Sequence, residues 1–286
     1  MGMASLSASA YRHGYHGLMA NPRSWPQALV PVGRAPLLWL AGWWQLAHFA
    51  ALMLVVFLSA ATWRGANRQA LARHLVQDTA PLLPWFIVLS GLITAVFTRI
   101  VLLTAQNYGL SQYALEMLIR VVVLEMIPLT AALFVALRCT VPHGAELARM
   151  RRRGELDALR LQGTDPVAHE VLPRVVAGVF SAITLAAVSC VVALVLVYVL
   201  VNDFSLAGLP AYTHVFARIF TPSVTLVFVL KTLLSACAVA LIPLAAGLQE
   251  GVPGGRLRAV TELRGLVRMF AVLLAIEALS LMGNYY

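Results

Sequence analysis

Residues 149–174 read RMRRRGELDALRLQGTDPVAHEVLPR, a charged, helix-forming stretch between two long apolar runs. Such a segment cannot lie in hydrocarbon, where one ionised side chain at a helix centre costs about 2.5–3.5 kcal/mol. It must stand in water and touch something there. The surrounding chain has 286 residues, 60% of them hydrophobic and 12% charged, with a mean hydropathy of +0.83. Soluble domains carry about 25% charged residues, so this balance describes an all-α, polytopic membrane protein.

The net charge of +9 comes from 21 basic residues against 12 acidic ones. The basic residues sit mainly in short loops between apolar runs, which fits orientation by the positive-inside rule. A nucleic-acid surface would need a soluble basic domain with groove-reading or aromatic elements, and the sequence contains none. Cys139, Cys190 and Cys237 lie far apart in or beside apolar segments, which is the pattern of small buried hydrophobes. No CxxC pair or ligand cluster is visible, and His13 and His16 stand in a Gly-rich tail without a carboxylate neighbour. The sequence therefore predicts no metal site. The first apolar run begins only near Pro36, so nothing resembles a cleavable secretory signal.

Five segments reach the roughly 20 apolar residues a span requires: 82–104, 113–138, 175–201, 222–247 and 265–284. A sixth stretch, 36–62, is rich in Trp and flanked on both sides by arginines. A true span would put one basic cluster on the wrong side, so 36–62 is expected to be an interfacial or re-entrant helical element, following a cytoplasmic tail over 1–35. The basic loops then alternate with nearly neutral ones. This sets the N-terminus inside, the insert at 145–170 inside, and the C-terminus outside. Pro128 and Pro243 fall within spans and are expected to bend or locally unwind them.

Within the insert, the spacing predicts one helix from about Ala145 to Gln162. Leu147, Met150, Gly154, Ala158 and Leu161 share one face, with Glu146, Arg149, Arg153, Asp157 and Arg160 on its neighbour. Opposite charges at Glu146/Arg149, Arg153/Asp157 and Asp157/Arg160 support it by a few tenths of a kcal/mol per pair. Gly163 is placed for the C-terminal cap, and Asp165-Pro166 stops continuation. On composition alone this helix is either a surface helix lying on the membrane or a contact for a soluble partner.

Gly154-Glu155-Leu156-Asp157-Ala158-Leu159, then Gly163-Thr164-Asp165-Pro166, then Pro173-Arg174, resembles the signature of the MlaE/YrbE permeases, the membrane subunits of Mla- and Mce-type lipid-transport ABC systems. The resemblance covers residues 113–185 well and 222–282 more loosely, making 82–284 a permease domain. It departs at Glu125-Met126-Ile127-Pro128, where the family carries Gly-Pro after the Glu, and at Leu137-Arg138-Cys139-Thr140, where it carries a Gly-Arg-x-Gly run. The resemblance implies that the insert docks on a cytoplasmic ATPase through Arg149, Arg153, Glu155, Asp157, Arg160 and Asp165. It implies a homodimer, a STAS-like regulator, a periplasmic MCE-domain protein and a phospholipid substrate, all at a bacterial inner membrane. The only lysine is Lys231 and no GxxxxGK[ST] occurs. The chain is therefore expected to have no nucleotide site or cofactor of its own, with ATP and Mg2+ on the partner subunit, and to be no enzyme.

Arg99, Glu116, Arg120, Glu125, Lys231 and Glu277 are ionisable residues inside expected spans, and such residues mark functional sites or mutual pairs. Two readings stand side by side. In one, Arg99, Arg120, Glu125, Lys231 and Glu277 line a lipid cavity with Leu83, Phe86 and Phe97 against the tails. In the other, Glu125–Lys231 or Arg99–Glu277 satisfy one another between helices. No GxSxG context or paired carboxylates on one soluble face suggest catalysis. The rival functions are an ion-coupled secondary transporter using Glu125, Arg120 and Lys231, and a non-transporting membrane scaffold.

Overall fold

In the computed structural model, residues 35–58, 72, 75–163, 165–202, 204–249 and 255–285 are described. The expected tail over 1–35, up to residue 34, and the end of the 36–62 element lie outside them. By chain contacts the protein divides into residues 1–45 and 46–286. Helix α1, Ala35–Leu58, crosses that division. Its second half belongs to the larger unit, where Phe49, Met53 and Val56 are buried.

All elements among the described residues are helical. Five helical segments are long and apolar enough to cross a membrane: Leu75–Asn107, Tyr113–Arg152, Val167–Asn202, Pro222–Leu248 and Leu263–Gly283. They are called the first to fifth spans. Helix α2, Leu82–Asn107, forms most of the first span, and its apolar residues turned away from the bundle, such as Trp85, Val88 and Leu92, are exposed, as lipid-facing residues should be.

The third span is the centre of the bundle and packs against the first, second and fourth. It continues into α7, Leu172–Asn202, whose buried face repeats every four residues as Ala177, Ser181, Leu185, Ser189, Ala193 and Val197. Small residues on this stripe let neighbouring backbones come close, the usual means of association where lipid supplies no hydrophobic drive. A Cβ on Gly178 would stand 2.8 Å from Thr140 Cγ2. Hydrogen bonds fix the crossings: Thr79 Oγ1 lies 2.7 Å from Ser181 Oγ, and Thr140 Oγ1 donates to the Val239 carbonyl at 2.6 Å.

The second span is one helical rod built from several pieces. They are α3 (Ser111–Leu118), a π-helical stretch Ile119–Met126, α4 (Ile127–Val135), a second π stretch Ala136–Thr140, and α5 (Val141–Arg152). Pro128 sits in the first turn of α4 and is accommodated there, directly after the first π stretch. Between Tyr113 and Arg152 lie 40 residues. At ~1.5 Å each they make a rod of about 60 Å, roughly twice the hydrocarbon thickness. The expected insert helix starting near Ala145 is therefore the continuation of the second span, and this corrects the boundary drawn from the sequence.

The insert also breaks where one helix was expected. Gly154 adopts φ +73° and ends α5, so α6 is only Glu155–Leu161. The left-handed turn is cheap for Gly and costly for other residues. The face predicted across Gly154 is consequently lost. Leu156 is buried and anchors α6, while Leu161 is 91% exposed. Gly163, φ +79°, closes α6 with its N–H on the Arg160 carbonyl, as the spacing predicted.

Pro243 lies inside α9, Pro222–Gln249, facing α5. A Cβ on Gly144 would come within 2.5 Å of the Pro243 carbonyl oxygen, and one on Gly247 would run into the Gly144 backbone. The rod and the fourth span therefore touch backbone to backbone at Gly144. Beyond this crossing, the Arg151 guanidinium donates to the Leu248 carbonyl. The remaining helices are α8, Leu209–Ile219, between the third and fourth spans, and α10, Gly255–Tyr285, which carries the fifth. On α8, Tyr212 is buried with its hydroxyl donating to the Leu194 carbonyl at 2.8 Å, and burial pushes its phenol up to about 12.

Candidate functional site

Three ionisable residues meet inside the bundle. Lys231 on α9 is 3% exposed, and its ammonium donates to Glu125 of the first π stretch, to Glu277 of α10 at 2.8 Å, and to the Leu124 carbonyl at 3.1 Å. All three ammonium donors are therefore used. The two carboxylates are largely enclosed. One cation thus ties the second, fourth and fifth spans together, and breaking it would strand a charge in a medium of low dielectric.

The pairing of Glu125 with Lys231 is the one the second sequence reading named. Glu277 joins this pair, and the expected Arg99–Glu277 pair does not form. Arg99 instead lies exposed on the first span beside a cavity of about 430 Å3 that it lines with Thr98, Ile100 and Leu200. Arg120 pairs along its own helix with Glu116 at 3.0 Å. Among the residues expected against lipid tails, Phe86 is fully enclosed by protein, its ring tilted by 41° against that of Phe134 at 5.1 Å between centres. Leu83 and Phe97 are partly buried against two different apolar clusters.

A second polar centre forms where the insert meets the bundle. Arg174, 6% exposed at the start of α7, donates to the Glu170 carboxylate at 2.5 Å and to its carbonyl at 2.7 Å, and lies 3.8 Å from the Glu146 carboxylate on α5. Glu170 lies in a third π stretch, Val167–Val171, and Asp165 Oδ1 accepts from the Val167 N–H at 3.0 Å. Asp165 thus caps the third span at its start. Around Arg174 opens a cavity of about 450 Å3 that includes Arg149, Arg153, Glu155, Glu146 and Glu170. Of the six residues expected to meet a partner, Arg149, Arg153 and Glu155 line this cavity. Asp157 and Arg160 form an exposed pair at 3.5 Å on α6. The expected Arg153/Asp157 pair is replaced by Arg153–Glu155 at 3.6 Å, because Gly154 turns the chain between them.

Reading the sequence missed the partner role of Glu170, whose position four residues before Arg174 was its only signal. It also missed a cluster of Asp78, Cys139 and His143, whose donor atoms lie within 4.8 Å of one another. The expectation that no ligand cluster exists is corrected by this grouping. Its one legible trace was the four-residue step from Cys139 to His143, which puts both on one helix face.

Five spans around a buried ion triad, with a polar extension carried by one of them, define a polytopic integral membrane protein. The chain belongs to the MlaE permease family: the family model described as Permease MlaE matches residues 71–282. Probable ABC transporter permease proteins of Rickettsia felis and Rickettsia prowazekii are each 36% identical to it over 93 residues, and that of Rickettsia conorii is 34% identical over the same length. Each match covers 31% of this chain and 36% of the relative. The chain thus aligns with about a third of the length of these curated relatives.

Proposed function

We propose that this chain is the permease subunit of an ABC-type transporter that moves phospholipids between membranes and draws its energy from a separate ATPase. Family membership and the names of the Rickettsia relatives support the permease assignment. The observation that carries the coupling is the continuous helical rod Tyr113–Arg152, which runs from Glu125 of the triad to the Gly154 turn that precedes α6. At its tip α6 offers Leu161, Asp157 and Arg160 to a partner from outside the apolar bundle.

In this reading, the N-terminus and insert face the cytoplasm, and the C-terminus faces the periplasm of a bacterial inner membrane. The protein works as a homodimer, with a STAS-like regulator on the inner side and a periplasmic MCE-domain protein that passes lipid on. Closure of the ATPase pushes on α6 and the Arg174 cavity, and the rod carries the displacement to the triad. ATP and Mg2+ act on the partner, while this chain supplies the lipid path and performs no covalent chemistry.

Gentle purification from native membranes tests the proposal, with co-eluting proteins and lipids identified by mass spectrometry. Recovery of an ATP-hydrolysing subunit that crosslinks to Cys in Leu161→Cys, together with phospholipid, supports it. Phospholipid movement in vesicles that proceeds without any ATPase and stops when an ion gradient is collapsed would assign the chain to ion-coupled transport instead.

A further inference from the structure

We propose that Asp78, Cys139 and His143 form a binding site for a divalent transition-metal ion of the zinc class. The site lies where the first span meets the continuation of the second. Cys139 Sγ is 3.8 Å from His143 Nδ1, and His143 Nε2 is 3.6 Å from Asp78 Oδ1. A tetrahedral zinc with bonds of roughly 2.0–2.3 Å to N, O and S places its ligand atoms about 3.3–3.6 Å apart. One ion takes only one of these ring nitrogens; with one donor atom from each residue within 4.8 Å of the others, a turn of the His143 ring between Cys139 and Asp78 closes the three to that spacing.

The donor set is the one such ions favour. It combines a thiolate, an imidazole and a carboxylate, which suit a borderline-soft cation and leave one coordination position for water. Without a cation the carboxylate is poorly satisfied, while Cys139 and His143 share a long sulfur–nitrogen hydrogen bond. Asp78 Oδ2 is buried with no hydrogen-bond partner, and the Asp78–His143 separation is too long for a hydrogen bond. Leaving a buried acceptor unpaired is costly. On binding, the Cys139 thiol loses its proton to solvent, and no electron changes hands.

The scaffold around the donors is also fixed in advance. Thr79, next to Asp78, is hydrogen-bonded to Ser181 of the third span, and Thr140, next to Cys139, is bonded to Val239 of the fourth. Cys139 lies in the second π stretch and His143 in the first turn of α5. Such π stretches occur frequently at functional sites. The metal would therefore clamp the beginning of the first span to the rod, one residue before the Gly144 crossing. The assignment does not depend on the transported substrate.

Cobalt titration of the full-length, chelator-treated protein in detergent tests the site. The expected result is saturation at one equivalent, with a near-ultraviolet thiolate-to-cobalt charge-transfer band that added Zn2+ abolishes. C139S should lose that band, and D78N and H143Q should each weaken cobalt binding at least about tenfold. A C190A/C237A variant should keep the band, since neither thiol belongs to the cluster. Histidines elsewhere would bind cobalt without a thiolate band. If C139S does not fold, the D78N titration decides: the folded variant, verified by gel filtration, must show weaker binding and no Zn2+-induced rise in Tm. Absence of a saturable thiolate band in the wild type, or its persistence at wild-type affinity in D78N, would overturn the site.

Discussion

Two clusters in this molecule share one composition, a single buried cation between two carboxylates, and differ in almost everything else. Lys231 draws Glu125 and Glu277 from two other spans, and all three side chains are enclosed. Arg174 takes its tight partner, Glu170, from one turn earlier on its own helical segment. On α5 it meets the Glu146 carboxylate, which stands at 3.8 Å with half its side chain exposed, and the Met150 sulfur at 3.9 Å. The first cluster is a lock among helices. The second is a rigid local knot with one loose strut to the rod, and exposed ion pairs are worth only about 0–1 kcal/mol. The ionic share of what holds the insert to the third span is therefore small, whereas separating the three spans at Lys231 is expensive.

Lys231→Met should produce the largest effect, a loss of about 3–5 kcal/mol, because it strands buried carboxylates. Thermal or denaturant unfolding in detergent measures it. Adding Glu125→Gln and Glu277→Gln should recover much of the loss, and failure to recover would mean that Lys231 acts through packing rather than charge. Arg174→Ala should cost less, about 1.5–3 kcal/mol for lost charged hydrogen bonds, in the same assay. A loss equal to that of Lys231→Met would erase the distinction between the clusters. Glu146→Gln should change stability by no more than ~1 kcal/mol and yet loosen the insert, read as faster hydrogen exchange in α5 and α6. A loss matching Arg174→Ala would make the strut structural.

A separate effect, confined to alkaline pH, belongs to Tyr212, outside both clusters. Its phenol is held at about 12 in the fold against an ordinary 10, so the folded state keeps the proton longer than the unfolded one. That contribution is full below pH 10 and is lost as pH rises through the window from 10 to 12. Tyr212→Phe should flatten this part of the stability profile, and an unchanged slope would place the burial of Tyr212 in doubt.

The number of spans was legible because hydrocarbon imposes a length and a composition. The end of the second span was not. Its apolar run stops near Leu137, but a helix leaving the membrane has no reason to end there, and it continues to Arg152. The break at Gly154 escaped because a face can be drawn across a glycine as easily as across any residue. The same limit affected the triad. Lys231, Glu125 and Glu277 all stood out as charges in apolar runs, but their directions did not follow from a regular helical wheel. Two π stretches in the rod each add a residue to a turn and rotate everything beyond them. Glu277 stands outside the rod and was assigned to Arg99 because nothing in the sequence places the fifth span beside the fourth. Asp78 lies on a different span from Cys139 and His143, and only the packing of the first span beside the rod brings it to them.

The crossing at Gly144 divides the rod unequally. Arg152 lies eight residues beyond it and Tyr113 thirty-one residues before it, or about 12 Å against about 46 Å at ~1.5 Å per residue. With α5 bearing on the fourth span at that point, the rod is a lever with unequal arms. A shift of about 1 Å at the insert becomes one of about 4 Å at the opposite end. Glu125 lies on the long arm, so a tilt of the rod about Gly144 pulls first on the Lys231 lock.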